Sequence, residues 1–244
     1  MGSYVTRLAL EKGYYVRGID KCTYASRKEP LLKEFSDYKN FHFEQKDICN
    51  INSLFDCDYF VNTAAETHVG NSIIESNTFM HSNVDGVYSI LQAFKNYKVE
   101  GNKRPIFFHF STDEVYGDIN DGSFKETDIL KPSNPYSATK AAGDMLIKAW
   151  HRTYNIDYIL LRPSNNYGIG QYIEKLIPKS VKYLNLGRKI PIHNNGSPVR
   201  GWLHAADTAS AVIHLIEKNI KNEIYNISGN YYDTNLNVSK KIIK

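Results

Sequence analysis

The sequence has few cysteines and no long apolar stretch. Its 244 residues include three cysteines, Cys22, Cys49 and Cys57, which form no C-x-x-C pair and leave one thiol unpaired in any disulfide scheme. We therefore expect reduced thiols in a cytoplasmic protein. No apolar run is long enough to cross a bilayer and no signal peptide opens the chain, so neither membrane insertion nor secretion is expected.

The sequence also lacks a large excess of positive or negative charge, and it lacks histidines at the spacing of metal ligands. The net charge is only +4, and lysines and arginines are scattered among acidic residues rather than forming a basic stripe. Nucleic acid is therefore not an expected partner. The eight histidines show no H-x-x-x-H spacing and no cysteine partner at ligand spacing, so no metal site is predicted.

Short apolar segments alternate with helical patterns, and no repeat or linker interrupts them. Segments 14–20, 41–47, 59–63, 106–112 and 158–162 predict strands, because most are β-branched or aromatic and end in polar turns. Segments 3–12, 73–97 and 136–154 predict helices. This alternation is typical of an α/β fold with a Rossmann-type, doubly wound parallel sheet.

The pattern changes after Pro163. Residues 1–163 predict a dinucleotide-binding domain. Residues 164–244 are rich in loops, with helices predicted at 175–186 and 206–217, and predict mainly a smaller substrate-binding lobe, with some segments returning to the main sheet. In open α/β sheets ligands bind beyond the carboxyl ends of the strands, so the residues after each strand are the candidates for function.

The expected first strand of the dinucleotide fold is missing. Such a fold normally opens with an apolar strand, a glycine-rich turn and a helix whose N-terminus faces a pyrophosphate. Here Gly2 leads directly into a helical pattern, and the next strand ends at Asp20, where an acidic residue would bind ribose hydroxyls; a strand-ending turn residue is the alternative. Two strand edges are then left unpaired, so we expect low stability and weak dinucleotide binding.

Two adjacent carboxylates stand at the end of the most apolar strand. Asp113 and Glu114 follow Ser111 and Thr112, directly after the apolar residues 106–110. Charges at the mouth of a buried strand cost free energy unless they are paired or functional. We interpret the pair as catalytic; a polar transition from strand to loop is the alternative.

Tyr136 and Lys140 form a second candidate pair. Residues i and i+4 share a face of a helix, so the phenol and the ammonium are predicted to lie together. A nearby cation stabilises phenolate and lowers the pKa of tyrosine, which makes it a usable general base. Tyr-x-x-x-Lys alone is common, but downstream of a strand that ends in serine and threonine it becomes specific.

These two motifs belong to a series of short motifs that runs along the whole chain. The series comprises Asp20-Lys21-Cys22-Thr23-Tyr24-Ala25, Asp47-Ile48, Ala64-Ala65-Glu66-Thr67-His68-Val69, Asn83, Ser111 to Gly117, Pro135 to Lys140, Ser164-Asn165-Asn166-Tyr167-Gly168 and Glu174-Lys175-Leu176-Ile177-Pro178. Together they resemble the extended short-chain dehydrogenases/reductases and, more closely, the dTDP-glucose 4,6-dehydratases and their UDP-glucose counterparts. The Thr-Asp-Glu triplet discriminates best, since related epimerases and decarboxylases generally lack the acidic pair.

The resemblance implies a role for each catalytic residue. Tyr136, assisted by Lys140, takes the proton from the sugar 4-hydroxyl while hydride passes from C4 to NAD⁺, and Thr112 orients the 4-oxygen. Glu114 removes the acidified C5 proton and Asp113 protonates the departing 6-hydroxyl. Hydride then returns to C6, so the cofactor is regenerated. Asp113 must be protonated while Glu114 is ionised, a division that two close carboxyls favour.

The resemblance also implies two sets of binding residues. The NAD set is Gly2, Asp20, Lys21, Thr23, Asp47, Ile48, Ala64, Ala65, Glu66, Asn83, Tyr136, Lys140 and Asn166. The set for the nucleoside-diphosphate sugar is His68, Thr112, Asn165, Lys175, Leu176, Ile177, Pro178, Pro191, Ile192, His193, Arg200 and Asn235. Asp20 favours NAD over NADP because a 2′-phosphate would be repelled, and Arg200 is the expected diphosphate clamp; a surface charge is the alternative for Arg200.

Some positions depart from the family pattern. His193 stands where the family often has a tyrosine that stacks on the base, Gly201 replaces a common aspartate, and segment 168–173 lacks the usual proline. The base, dTDP or UDP, is therefore left open.

Three functions remain possible from the sequence. The leading hypothesis is a 4,6-dehydratase that serves deoxysugar synthesis, such as that of rhamnose, and forms a homodimer through helices 73–97 and 136–154. A sugar-nucleotide epimerase or decarboxylase is the second, and Asp113 argues against it. A catalytically dead nucleotide-binding fragment is the third: the missing first strand and a C-terminal helix that ends short of a family segment favour it, and the complete catalytic set opposes it.

Overall fold

A computed structural model describes residues 1–98, 104–119 and 121–243, excepting the side chains of 193 and 194. The helices are α1 (Gly2–Glu11), α2 (Lys28–Phe35), α3 (Val69–Ile74), α4 (Asn77–Met80), α5 (Gly86–Asn96), α6 (Pro135–Tyr154), α7 (Leu176–Asn185), α8 (Ala205–Glu217) and α9 (Asn235–Ile243). The strands are β1 (Val16–Asp20), β2 (Phe41–Gln45), β3 (Tyr59–Asn62), β4 (Ile106–Phe110), β5 (Tyr158–Pro163), β6 (Asn165–Tyr167), β7 (Val199–His204), β8 (Glu223–Ile227) and β9 (Tyr232–Thr234).

The main sheet is parallel, with strand order β3-β4-β5-β8, and β1 and β2 form a separate parallel pair. The predicted Rossmann-like parallel α/β fold is thereby confirmed. A third, small sheet joins β6, β7 and β9, in which β7 and β9 are antiparallel. The strand β8 comes from the C-terminal part of the chain and pairs with β5 in the main sheet.

Helices cover both faces of the main sheet because its central strands are apolar on both sides. Phe108 of β4 packs with Val5 of α1 and Val212 of α8. Phe107, the neighbouring residue, points the other way and packs with Leu91 of α5 and Ile147 of α6. All five residues of β4 are buried, as expected for a parallel strand enclosed between two helical layers. In the described part of the chain no helix is long and apolar enough to span a membrane.

A cavity separates β1 from β3. It has a volume of about 690 Å³ and is lined by Gly18 of β1, Val61 of β3, Gly2 of α1 and Ile213 of α8, among others. Within the ranges that the structure describes, no strand lies between β1 and β3. The edges of both strands therefore face this cavity, at the place where the sequence predicts a missing strand.

The sequence prediction differs from the structure at two helices. The helix predicted at 73–97 begins earlier, at Val69, and is broken at Glu75, whose backbone is extended (φ −141°, ψ 96°). The Glu75 carboxylate accepts a hydrogen bond of 2.9 Å from the backbone of Asn77, so it satisfies a free N–H where the chain turns into α4. Helix α2 was not predicted at all; it is short and mostly polar, so its apolar periodicity is weak.

A fully buried ion pair joins α6 to β5 beneath the end of the sheet. Arg162 Nη2 lies 2.9 Å from Asp144 Oδ2, and both side chains are inaccessible to solvent. Arg162 also donates to the Tyr116 hydroxyl at 2.7 Å. Burial raises the pKa of Asp144, and the Arg162 charge opposes that effect.

We expect Asp144→Leu to destabilise the fold strongly. The change leaves the Arg162 guanidinium buried with no opposite charge, which costs about 3–5 kcal/mol. Chemical denaturation measures the loss. Glu217→Leu is the matched control, because Glu217 pairs with Lys12 at 2.6 Å in a solvent-exposed bridge, where little loss is expected. Similar losses in both variants would contradict the prediction.

Candidate active site

The Thr112-Asp113-Glu114 segment turns away from the end of β4 in a single 3₁₀ turn, Asp113–Tyr116. Thr112 caps this turn, since its Oγ1 accepts from the Glu114 backbone at 3.3 Å and lies 3.2 Å from Asp113 Oδ1. Gly117 ends the turn with φ +87°, and a Cβ there would collide with the Lys131 carbonyl oxygen. Only glycine fits this position, so the backbone holds both carboxylates at the mouth of the strand.

Helix α6 begins beside the same carboxylates. Asn134 and Ser137 form a capping box and Pro135 occupies the first turn, a combination that starts a helix firmly. The Asn134 amide also donates to Glu114 Oε2 at 3.3 Å. The N-terminus of α6 therefore faces the Glu114 carboxylate, and both the amide and the helix dipole stabilise its negative charge.

The two neighbouring carboxyls have different surroundings. Burial, followed by the charge of Glu114, raises the pKa of Asp113 to about 6. The charge of Arg200 opposes this rise, which places the guanidinium within electrostatic reach of Asp113. Asp113 therefore holds a proton more readily than an ordinary aspartic acid does.

The hydrogen-bond partners that the structure shows for Tyr136 and Lys140 are other residues. The buried Tyr136 hydroxyl is hydrogen-bonded with Thr112, and burial and the charge of Glu114 raise its pKa. Lys140 Nζ instead lies 3.4 Å from Nε2 of His109. The predicted lowering of the Tyr136 pKa is therefore wrong for this structure, because desolvation of the phenol outweighs any effect of Lys140.

Two cations of the predicted substrate set lie near the acidic pair. Arg200 of β7 is exposed, and its Nη1 donates to the carbonyl of Val199 at 3.2 Å. Lys175 Nζ donates to the Thr67 carbonyl at 2.7 Å; burial lowers its pKa, and the charges of Glu174, Glu114 and Glu66 oppose that effect. The structure therefore brings residues 67, 114 and 175 together, although they are far apart in the chain.

The remaining substrate candidates lie on several elements of both parts of the chain. His68 caps α3 by accepting from the Asn71 backbone at 3.1 Å. Asn165 starts β6, and Asn235 starts α9, where its backbone donates to the Pro198 carbonyl at 3.1 Å. Leu176, Ile177 and Pro178 form the first turn of α7, and Pro191 and Ile192 precede the 3₁₀ turn at 193–196. The side chain of His193 lies outside the described residues.

The start of α1 fits a dinucleotide phosphate. Helix α1 has ten residues, and no side chain caps its N-terminus, so its first N–H groups are available to an anion. A Cβ at Gly2 would lie 2.7 Å from Thr63 Oγ1. Glycine thus permits the close approach of helix and strand that this kind of site requires.

The predicted adenosine residues meet at the ends of β1 and β2. Asp20 is exposed, and its Oδ1 accepts from the Cys22 backbone at 2.6 Å. Lys21 Nζ lies 3.4 Å from Asp47 Oδ2; burial opposes ionisation of Asp47, but bonds from Cys49 and the Lys21 charge hold its pKa below the ordinary value. Thr23 lies in the following turn.

Three further cofactor candidates are engaged within the protein. The side chain of Ile48 is buried against α5, so it contributes to packing. Asn83 is buried; its Nδ2 donates to the Glu66 carbonyl at 3.0 Å and to Thr139 Oγ1 at 2.9 Å, and its Oδ1 accepts from the Glu66 backbone at 2.9 Å. Both amide hydrogens of Asn83 are thus used in fixing the segment Ala64, Ala65 and Glu66 against α6. Asn166 Oδ1 similarly accepts from Thr208 at 2.7 Å.

The fold gathers three potential metal ligands that their spacing did not reveal. Donor atoms of Asp47, Cys49 and His81 lie within 4.8 Å of one another. The Lys21 ammonium already pairs with Asp47, and burial raises the pKa of the Cys49 thiol to about 12. A metal requires thiolate and an unpaired carboxylate, so this group of side chains is poorly suited to one.

The comparisons with known proteins agree with this geometry. The model of the NAD dependent epimerase/dehydratase family matches residues 1–228. The chain belongs to this family. It is 39% identical over 240 residues to the dTDP-glucose 4,6-dehydratase of Haemophilus influenzae, an alignment that covers 93% of this chain and 71% of the relative. The resemblance inferred from the motifs is confirmed.

Solved structures place the chain within the family. The dTDP-glucose 4,6-dehydratase DesIV of Streptomyces venezuelae, crystallised with NAD, matches with a TM-score of 0.92 and 34% identity, covering 99% of this chain and 76% of that one. A UDP-glucuronic acid 4-epimerase of Bacillus cereus matches with a TM-score of 0.89 but 24% identity, covering 99% of this chain and 78% of that one. The epimerase shares the fold, whereas the dehydratase also shares more of the sequence.

Sequence reasoning missed three polar residues of this site. Asn134 contacts Glu114, and His109 and Asn62 lie behind Lys140. Asn134 could have been recognised as a helix cap, because it precedes a proline at the start of a helical pattern. His109 is a single polar residue within the apolar strand β4, and Asn62 is the last residue of β3. Only the pairing of these two strands brings the residues together.

Proposed function

We propose that this chain catalyses the NAD-dependent dehydration of a nucleoside-diphosphate glucose, dTDP- or UDP-glucose, to the 4-keto-6-deoxy sugar. One observation carries the proposal. Asp113, whose pKa is raised, and Glu114, which accepts a hydrogen bond from Asn134, are adjacent at the carboxyl end of β4. The buried Tyr136 hydroxyl of α6 lies beside them. An epimerase has no step that needs an acid to expel water, so the additional carboxyl favours a dehydratase.

The cofactor fits the residues at the start of α1 and at the ends of β1 and β3. When bound, NAD supplies the reversible hydride acceptance that oxidises C4 and later reduces C6. Gly2 and the first N–H groups of α1 would hold its phosphates, and Asp20 would bind its adenosine ribose. The cations Arg200 and Lys175 are suited to the diphosphate of the substrate.

The protein side chains move the protons. Tyr136 would take the proton of the 4-hydroxyl as a phenolate, a form that the positive charges of bound NAD⁺ and Lys140 would have to favour against the effect of burial, and Thr112, hydrogen-bonded with the phenol, orients the 4-oxygen. The ketone at C4 acidifies C5, whose proton passes to Glu114. Asp113 protonates the 6-hydroxyl, which leaves as water. The raised pKa of Asp113 suits the general acid and the charge stabilisation from Asn134 suits the base.

Product analysis tests the proposal. The chain, loaded with NAD, is incubated separately with dTDP-glucose and UDP-glucose, and the 4-keto-6-deoxy product is measured by mass. Loss of one water supports dehydration, and the substrate that loses it identifies the preferred nucleotide base. A C4 epimer, or loss of carbon dioxide from the matching uronic acid, would instead show an epimerase or a decarboxylase. Nucleotide binding without turnover would favour a catalytically dead protein.

We further propose a cytoplasmic homodimer, formed through α5 and α6, that serves deoxysugar synthesis such as that of rhamnose. Both helices carry large apolar side chains on their outer face: Tyr88 is 47% and Met145 is 46% exposed. Tyr88 packs edge-on against Trp150 of α6, so the two helices are in contact beside this exposed ring. Such a patch is typical of a protein interface.

We expect Tyr88→Glu combined with Met145→Glu to yield a monomer. Two unpaired carboxylates buried at the centre of the interface would make the free energy of association less favourable by about 3 kcal/mol or more. Light scattering coupled to gel filtration measures the mass. Tyr232→Glu, on the exposed strand β9, is the control and is expected to leave the dimer intact. A dimeric double variant would contradict this interface.

A further inference from the structure

One hydroxyl group joins the phenol of Tyr136 to the carboxyl of Asp113. Thr112 Oγ1 lies 3.2 Å from Asp113 Oδ1, and it is hydrogen-bonded with the Tyr136 hydroxyl. Thr112 and Asp113 belong to the turn after β4, whereas Tyr136 belongs to the first turn of α6. Thr112 and Tyr136 are both buried. The fold therefore forms a chain of three oxygen-bearing groups that links two residues far apart in the sequence.

The partners of Thr112 limit where its hydrogen can point. The Glu114 backbone N–H can only donate, and it uses one lone pair of Thr112 Oγ1 at 3.3 Å. One lone pair and one hydrogen are left for the other two partners. When the phenol is neutral and donates to Thr112, the Thr112 hydrogen goes to the Asp113 carboxylate. When Asp113 is protonated and donates, the hydrogen goes to Tyr136 as a phenolate. The chain therefore has two arrangements that differ by one transferred proton.

The charged surroundings favour the first arrangement near neutral pH. Burial, followed by the charge of Glu114, raises the pKa of Asp113 to about 6, and the Thr112 hydrogen bond and the charge of Arg200 on β7 oppose this rise. Burial, followed by the charges of Glu114 and Asp113, raises the pKa of Tyr136. The phenol is therefore neutral and Asp113 is mostly ionised at rest. Asp113 cannot act as an acid until a proton reaches it.

The proposed dehydration releases and consumes one proton at these two residues. Oxidation at C4 releases the proton of the 4-hydroxyl beside Tyr136. Expulsion of the 6-hydroxyl as water consumes one proton from Asp113. The C5 proton passes to Glu114 and returns to C5 when hydride reaches C6. The complete reaction therefore has no net exchange of protons with solvent, and it needs one proton to move from Tyr136 to Asp113.

We propose that Thr112 is a proton relay, which carries the proton released in the oxidation step from Tyr136 to Asp113 for the expulsion of water. This inference rests on the proposed dehydratase activity. The phenol proton passes to Thr112 Oγ1, and the Thr112 hydrogen passes to Asp113 Oδ1. The Tyr136 oxygen takes the 4-hydroxyl proton as hydride leaves C4, so the phenol is regenerated. Asp113 then gives its proton to the 6-oxygen as the C6–O bond breaks and the C5 electron pair forms the double bond.

The link between Thr112 and Asp113 can be measured without turnover. The carboxyl stretch of Asp113 is identified as the infrared band that Asp113→Asn lacks, and its intensity is followed during a pH titration. We expect Thr112→Val to raise the pKa of Asp113, because the carboxylate loses a hydrogen-bond donor. Thr112→Ser retains a donor and should titrate as the unaltered chain does. An unchanged pKa in a folded Thr112→Val would overturn the relay even if the protein proves to be a dehydratase.

Proton release tests the transfer itself. A nucleoside-diphosphate 6-deoxyglucose has a 4-hydroxyl and no 6-hydroxyl, so the unaltered chain can oxidise it but has no group to expel. With protein in excess at about pH 7.5, rapid mixing follows NADH by absorbance and released protons by an indicator dye. The relay predicts no proton release while NADH forms, because the proton stays on Asp113. Without a relay, about one proton per NADH enters the solution.

Variants interrupt the relay at its middle and at its end. Thr112→Val and Asp113→Asn are each expected to release about one proton per NADH. Both should form NADH more slowly at neutral pH and faster as the pH rises, because the phenol proton then has to leave to solvent. Thr112→Ser is the matched control and should release none, because it restores the hydroxyl. A folding defect alone lowers the amount of NADH and leaves the ratio unchanged.

The outcomes separate the relay from the proposed function. About one proton per NADH in the unaltered chain overturns the relay, and dehydration of the complete sugar by the same preparation shows that the proposed function stands. Equal ratios in the unaltered chain and in both interrupted variants also overturn the relay. If Thr112→Val does not fold or forms no NADH, Asp113→Asn decides. If neither NADH nor dehydration is found with either base, the proposed function fails and the relay fails with it.

Discussion

Asp113→Asn is expected to oxidise the sugar but to lose water at least about a thousandfold more slowly than the unaltered chain. The amide preserves the shape of the side chain and cannot protonate the 6-hydroxyl. Reduced cofactor and the 4-keto hexose should therefore accumulate after one turnover. Rapid quenching with mass analysis, together with NADH absorbance, measures both.

The neighbouring carboxylate provides the discriminating comparison. In deuterated water Asp113→Asn should still exchange the C5 hydrogen of the accumulated ketone, because Glu114 is intact, whereas Glu114→Gln should not. Asp118→Asn, an exposed aspartate just beyond the turn, is the control and should behave as the unaltered chain. If Asp113→Asn loses hydride transfer and retains elimination, the roles assigned to these residues are wrong.

Asp113→Asn should also be more stable than the unaltered chain above pH 6. In the folded chain burial raises the pKa of Asp113 from 3.8 to about 6, so the folded state holds a proton that the unfolded state has already lost. The stability that Asp113 contributes is present below pH 3.8 and is lost as the pH rises through 6. A shift of this size corresponds to roughly 2–3 kcal/mol at neutral pH. Thermal unfolding at several pH values measures the gain, which should vanish in acid.

The second large effect is expected from filling the space between β1 and β3. An N-terminal extension that consists of a five-residue apolar strand and a glycine-rich turn leading into Gly2 should raise the free energy of unfolding by about 5 kcal/mol. Two or three buried aliphatic side chains contribute most of this gain, and new hydrogen bonds to both strand edges contribute the rest. The cavity of about 690 Å³ is lined largely by apolar residues that such a strand would cover.

NAD affinity should rise together with stability, because the added turn would complete the phosphate site ahead of α1. Denaturant unfolding and calorimetric titration with NAD measure the two effects. The control is the same extension with alternate strand residues replaced by aspartate, which cannot be buried between the sheets. Equal stability and affinity with and without the apolar extension would show that the gap has no energetic consequence.

Much of the fold follows from local patterns. The strands ending at Asp20 and Phe110 were recognised because apolar runs bounded by polar turns are strong local signals. The break at Glu75 was not recognised, since it depends on one carboxylate that caps the following helix rather than on a change in periodicity. Helix α2 was missed because its few apolar residues form no clear stripe.

The site could be predicted where its functional residues are neighbours in the sequence. The adjacency of Asp113 and Glu114 indicated an acid and a base. The relation of Tyr136 to Lys140 was anticipated only as a shared helix face, and their actual partners are Thr112 and His109. Side-chain direction within a shared face depends on what packs against it, which comes from other elements.

The sequence by itself determined the alternation of strands and helices, the acidic pair after β4 and, through its motifs, the family. The tertiary structure alone decided the protonation of the site: how deeply Asp113 is buried, and that Asn62 and His109 stand behind Lys140. The physical reason is that a pKa depends on desolvation and on partners within a few ångströms. Those partners are supplied by strands and helices that are distant in the chain, and only their packing makes them neighbours.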